Sequence, residues 1–271
     1  MGSGGKMPSD PKASRRVRTA LLWLSAFVIV VSVAVYFVFD LGQLQDRIAA
    51  REGHAALQGI TDASQIDEAL RQHPQNKFLR MMAMATRAAD DTNAAVQKLS
   101  DEVEPPAVSR ANNLGAASRN DLEALRGDLK AAEANATTFL PRYAAVLKAE
   151  RDNVERYAVS LHLGKDASKR LLDNIDKRHA EITALSSRML SARADFYRAY
   201  QNYVALLIGE FGAYKVVNGQ FIFPLQRTVD RYNVAAQAMT AAAKHVAELD
   251  EERKRLLQSQ RERWQQFLQG E

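Results

Sequence analysis

"LQRTVDRYNVAAQAMTAAAKHV", Leu225–Val246, carries Leu225, Val229, Tyr232, Ala236, Met239, Ala243 and Val246 at steps of four and three. That spacing is a heptad seam, an apolar stripe on one side of a helix. Carried onward, the register reaches Asp250, Arg253, Leu257, Gln260, Trp264 and Phe267. The seam turns partly polar there, so the end of this helix is expected to be less buried. Two earlier tracts follow the same rule. One places Ile175, Ile182, Leu185, Met189, Ala192, Phe196, Ala199, Tyr203 and Leu206 on its seam. The other places Leu122, Leu125, Leu129, Ala132, Ala136, Phe139, Tyr143 and Val146, then shifts by one at Leu147, Val154 and Leu161. A seam of this kind is not stable alone in water and must cover its stripe with another helix. Three tracts of about 45 residues, each close to 65 Å long at 1.5 Å per residue, predict an all-α chain: an elongated antiparallel bundle of long heptad-patterned helices.

The breaks between tracts agree with this reading. In "HLGKD", His162–Asp166, Gly164 suits a helix C-cap and Asp166 the next helix start. Asn120 or Asp121 suits the cap of the first long tract. Pro141 falls where the heptads continue, which reads as a kink, or a restart with Thr138 as cap, rather than a domain boundary. Upstream, Thr61 and Asp62 suit caps of a short helix ending before Pro74. Lys77–Val103 reads as helix, closed by "EPP" at Glu104–Pro106, and Ala107–Arg119 as a connecting loop.

Composition narrows the function. The chain has no Cys, which removes disulfides, thiolate metal sites, cysteine nucleophiles and acylated Cys. The net charge of +5 is misleading, because Lys6, Lys12, Arg15, Arg16 and Arg18 stand against only Asp10 ahead of residue 40. The remainder is almost neutral, with charges interspersed. No concentrated basic face is present for nucleic acid, and a solvated helical surface is the reading.

The basic cluster precedes "TALLWLSAFVIVVSVAVYFVF", Thr19–Phe39, 21 residues without a charge. At helical rise this spans about 30 Å, the thickness of a bilayer core. Trp23 lies near one end and Tyr36, Phe37 and Phe39 at the other, the aromatic-belt pattern. "SVA" at Ser32–Ala34 resembles a signal-peptidase site, but the apolar run continues past it and exceeds a signal-peptide core. An uncleaved anchor is expected, with Asp40–Leu57 extending its helix outward. The positive-inside rule places residues 1–18 in the cytoplasm as a basic tail, 19–39 in the inner membrane and 40–271 in the periplasm. Within that single periplasmic domain, residues 40–119 form membrane-proximal helices and a connecting loop, and 120–271 the long-helix bundle.

One stretch departs from helix. In "KVVNGQFIFP", Lys215–Pro224, Asn218-Gly219 is the strongest short turn signal, since both residues tolerate positive φ. Val216 and Val217 before it, and Phe221, Ile222 and Phe223 after it, favour extended backbone. Pro224 fits the first position of the last helix. The stretch therefore reverses the chain as a small hairpin or extended loop. Phe221 and Phe223 are expected to cap the end of the bundle core. The alternative is an exposed apolar loop touching a partner or the bilayer. Val217, Asn218, Gly219, Phe221, Ile222, Phe223 and Pro224 are the candidate interaction loop.

Motifs for chemistry are missing. The five His residues, 54, 73, 162, 179 and 245, form no i,i+3 or i,i+4 pair and no ligand cluster. His179 follows Ile175 by four residues and reads as a polar residue at a seam edge. Asp173, Asp176 and Glu181 read as a solvated face. Met81, Met82 and Met84 read as adaptable core packing rather than a binding groove. No nucleophile elbow, phosphate loop or dinucleotide fingerprint occurs. No catalytic, cofactor-binding or metal-ligating residue is expected, and no cofactor.

The segment "KVVNGQFIFPLQRTVDRYNVAAQAMTAA", through Val217, Asn218, Gly219, Phe223, Pro224, Tyr232 and Asn233, resembles the closing part of the YiaF-like proteobacterial envelope proteins. The resemblance covers roughly residues 90–250. Relatives in that family are typically lipoproteins with an acylated Cys, so it implies a helical domain held against a membrane, and it brings no activity. Here the 19–39 run would replace the lipid. The expected role is a membrane-anchored, non-enzymatic envelope scaffold or protein-interaction module, with an envelope protein or a second copy as partner and no nucleic acid. The alternative is a ligand-sensing bundle that signals through a partner, its ligand undefined.

Overall fold

The computed structural model describes residue 55 and residues 65–103, 114–162 and 164–269. The basic tail, the apolar run at 19–39, the caps at Thr61 and Asp62 and the "EPP" closure lie outside the described residues. So does the outward extension of 40–57, apart from the helical Ala55. The described residues are all-α, 86% of them helical. Among the described residues five helices of eight residues or more occur in order: α1 (Gln65–Gln72), α2 (Lys77–Val103), α3 (Arg119–Ser160), α4 (Lys165–Gly209) and α5 (Gln226–Gln269). A 3-10 turn, Leu114–Ala116, precedes α3, and a two-stranded hairpin separates α4 from α5. Among the described residues, no helix is long and apolar enough to cross a membrane.

Local chemistry sets the helix ends, and it corrects three expectations. Ser118, not Asn120 or Asp121, caps α3: its hydroxyl accepts from the Asp121 N–H at 3.2 Å, and its own N–H donates to the Asp121 carboxylate at 2.9 Å. This is a reciprocal capping box, with Asp121 as the answering acid. The serine bond holds the Asp121 carboxyl below its ordinary pKa. Helix α3 ends on His162, which takes the left-handed conformation at φ 55. Gly164 instead begins α4, its carbonyl accepting from the Ser168 N–H, and Asp166 lies in the first turn. Thr138 caps nothing; its hydroxyl bonds back to the Ala134 carbonyl, and α3 runs unbroken through Pro141. The segment after Pro74 starts cleanly because the Asn76 side chain accepts from the Leu79 N–H at 3.1 Å, an N-cap of α2.

The chain groups into two compact units. The first gathers Leu99–Leu140 and Ser186–Glu251. Leu122, Leu129, Ala132 and Ala136 of α3 are buried there as the seam requires. Helix α4 carries two adjacent stripes. One holds Met189, Ala192, Tyr203 and Leu206; the other, one residue on, holds Leu190, Tyr197, Tyr200, Val204 and Leu207. A double stripe is what a helix needs when it has neighbours on more than one side. The last carbonyls of α2 are satisfied laterally: the Asn135 amide donates to the Glu102 carbonyl at 2.6 Å and the Tyr197 hydroxyl to the Val103 carbonyl at 3.1 Å. Helix α5 is less covered. Met239 and Leu249 are buried, but Val229, Ala236, Ala243 and Val246 are only half-buried and Leu225 is exposed.

The second unit contains α1, α2 up to Lys98, Pro141–Leu185 and Glu252 onward. Its core includes Ile66, Leu79, Val154, Leu171 and Ile175. Met81 and Met82 are buried and Met84 half-buried, as core packing requires. Helix α1 folds back on α2, with Asp67 and Arg87 paired at 3.1 Å. Arg151 and Asp176 pair α3 with α4 at 2.8 Å. Arg253 is buried, against the expectation that the polar part of the α5 seam loses cover. The register keeps position 253 on the inner side and takes the guanidinium with it.

Candidate interaction surface

The reversal between α4 and α5 is a β-hairpin, β1 (Lys215–Val217) paired with β2 (Gln220–Ile222). Asn218 and Gly219 form its two-residue turn at φ 52 and 76, the positive pair that matches strand twist. Cross-strand partners are Lys215 with Ile222, Val216 with Phe221 and Val217 with Gln220. Partners share a face, so the pairing sorts the side chains. Val216 and Phe221 lie on one face; Lys215, Val217, Gln220 and Ile222 lie on the other.

The first face leads into an aromatic cluster. The rings of Tyr214 and Phe221 meet edge-on at 5.1 Å, Phe223 and Tyr232 at 5.1 Å, and Tyr203 and Tyr232 at 5.4 Å. The Tyr203 and Tyr232 hydroxyls share a hydrogen bond of 3.0 Å. Burial, with that bond, pushes the Tyr203 hydroxyl pKa up, and burial raises Tyr200 to about 12. These phenols stay protonated at neutral pH and act as packing and hydrogen-bond groups rather than bases. Phe223 is 8% exposed and Phe221 half-buried, so both rings cap the core. Below them, the Thr228 hydroxyl reaches the Glu210 carboxylate at 3.4 Å.

Pro224 does not open α5. The Leu225 carbonyl accepts from the Thr228 and Val229 N–H groups, so Leu225 is the cap and Pro224 the residue before it. The proline ring therefore rigidifies the approach, where it displaces no helical hydrogen bond.

The outward side mixes apolar and polar residues, since Lys215 and Gln220 share the face of Val217 and Ile222. Phe211, Val216, Val217, Ile222 and Leu225 are each 37–53% exposed. Val217 and Ile222 were legible in the turn-flanking pattern. Phe211 and Leu225 outside the strands, and Val216 on the first face, are exposed as well, and Phe211 could have been found from "FGAY" before the strands, where Gly212 takes φ 84. An open groove of about 860 Å³ lies between α4 and α5, lined by Ala199, Ala205, Ala235 and Ala238 together with the charged Asp195, Arg198, Glu210, Asp230 and Arg231.

A separate titratable pair lies in the second unit. Glu150 is 1% exposed and His179 Nε2 stands 3.3 Å from its Oε2, with Thr92 close by. The contact lacks hydrogen-bond alignment, and neither Glu150 oxygen has an aligned donor among the described residues. Burial raises the Glu150 pKa, and the opposing pull of His179 and Thr92 does not cancel it. The shifted register that buries Leu147 and Val154 also turns residue 150 inward, so this carboxylate was available from spacing. No group of three or more His, Cys, Asp or Glu side chains able to hold a metal occurs among the described residues. No family model, curated protein or solved structure matches the chain.

Proposed function

We propose that this protein is a single-pass inner-membrane protein whose periplasmic helical domain is a non-enzymatic scaffold, docking through its β-hairpin. One observation carries the reading. Large apolar side chains are exposed together on the hairpin between α4 and α5, while the aromatic rings beneath hold that hairpin in one shape. Exposed apolar clusters of this kind mark contact surfaces. The uncharged run at 19–39, preceded by basic residues, supports the anchor and its orientation. The similarity to YiaF-like envelope proteins supports the compartment.

Because the chain has no Cys, single cysteines can report exposure in spheroplasts by labelling with a membrane-impermeant maleimide. Val159 of α3 is 71% exposed and serves as reference. Val159→Cys should label and Ile222→Cys should be protected. No labelling at Val159→Cys without permeabilisation would overturn the orientation. Equal labelling at both would overturn the docking role of the hairpin.

A further inference from the structure

We propose that the outer face of the hairpin rests in the headgroup layer of an anionic lipid bilayer. This deepens the function proposed above and rests on its assignment of residues 19–39 as the anchor. Of seven strongly exposed large hydrophobic side chains among the described residues, five, Phe211, Val216, Val217, Ile222 and Leu225, fall within residues 211–225. The register places Val217 and Ile222 on the face that also carries Lys215. Lys215 and Arg227 lie within residues 211–229, and the acids that flank the stretch, Glu210 and Asp230, are engaged by Thr228 and Gln226 at the ends of α4 and α5. Apolar side chains beside a basic one on the same hairpin face match a surface that is apolar below and negative above.

Size argues for lipid over protein. Val217 and Ile222 on the outer face of strands of three residues, with Phe211 and Leu225 flanking them, offer a few hundred Å² at most, whereas a specific protein interface needs about 1,000 Å² or more. A headgroup layer demands no shape complement. Weak attraction suffices when an anchor in the same chain holds the domain beside the bilayer, because tethering raises the effective concentration. The hairpin is also ordered in advance. Its two-residue turn and the rings of Tyr214, Phe221, Phe223 and Tyr232 fix the strands, so insertion orders little new chain.

The test uses the full chain reconstituted into vesicles. A polarity-sensitive fluorophore is attached at Ile222→Cys, at Val217→Cys as a second probe of the same face, and at Val159→Cys as reference. The vesicles are phosphatidylcholine alone or phosphatidylcholine with phosphatidylglycerol. Both hairpin probes should shift to the blue and lose quenching by aqueous iodide in the anionic vesicles, and do so less in the neutral ones. The Val159→Cys probe should remain quenched throughout. Equal quenching at hairpin and reference positions overturns the proposal. So does shielding that grows with protein density in the membrane rather than with lipid charge, since that result assigns the face to a second copy. Failure of the chain to stay in the vesicles would overturn the anchor itself, and with it the function proposed above.

Discussion

Glu150→Gln is expected to stabilise the protein at neutral pH. The Glu150 side chain has no solvent exposure, and His179 Nε2 approaches to 3.3 Å without forming an aligned hydrogen bond. Burial without an aligned partner costs a polar group about 1–3 kcal/mol. That burial raises the carboxyl pKa, so the folded protein holds this proton more tightly than the unfolded chain does. Below the unfolded pKa both states are protonated and the contribution to stability is fully present. As pH rises through the raised folded value, the carboxylate must ionise inside the core and that stability is lost. Gln carries no such proton. Parent and variant should therefore melt together near about pH 4, the ordinary Glu range, and separate as pH rises. At neutral pH the variant should melt higher by roughly 5 °C, given about 2–4 °C per kcal/mol for a chain of this size. The assay is far-UV circular dichroism of the full chain in detergent, melted across a pH series. His179→Gln removes the favourable partner and should extend the loss of stability at Glu150 to higher pH, making the total loss larger. A Glu150→Gln variant that melts below the parent at neutral pH would refute the reasoning, because the Glu150–His179 pair would then stabilise more than its desolvation costs.

Other expectations follow from burial and backbone. Phe223→Ala should destabilise by about 3 kcal/mol in chemical denaturation through loss of a buried ring, whereas Val217→Ser on the outer face should stay within about 0.5 kcal/mol; equal effects would mean the sorting of the two faces is wrong. Met189→Asp places an unpaired charge on the buried α4 seam and should cost several kcal/mol, on the order of 3. Val234→Asp, on an exposed part of α5, should leave the melting temperature nearly unchanged. Gly219→Ala meets open space but requires φ +76, so it should cost about 1 kcal/mol from backbone strain alone. A neutral result there would show that the turn adopts another geometry in solution.

Much of the fold could be read from spacing. Helix α2 has the bounds that Lys77 and the Glu104–Pro106 break suggest, and Asn218-Gly219 makes the turn its residue types favour. The misses share a physical cause: several residues could satisfy the same local need. Ser118 rather than Asn120 or Asp121 caps α3, and it does so by bonding reciprocally with Asp121 three residues on. Gly164 was available to end one helix or begin the next, and His162 took the left-handed position first. The second stripe of α4, at Leu190, Tyr197, Val204 and Leu207, was hidden because a single heptad template follows only one partner. The candidate surface was half legible. The residues flanking the turn marked Val217 and Ile222, and Phe221 and Phe223 cap the core as expected, but only the exposures in the structure bring Phe211 and Leu225 into the exposed set.

The most direct measurement replaces Ile222 with a photo-activatable diazirine amino acid in living cells and identifies its adducts by mass spectrometry, with Val159 as reference. A hairpin that docks on the membrane should give phospholipid adducts at position 222 and none at 159. A single protein adduct at 222, or no adduct at either position, would contradict the account.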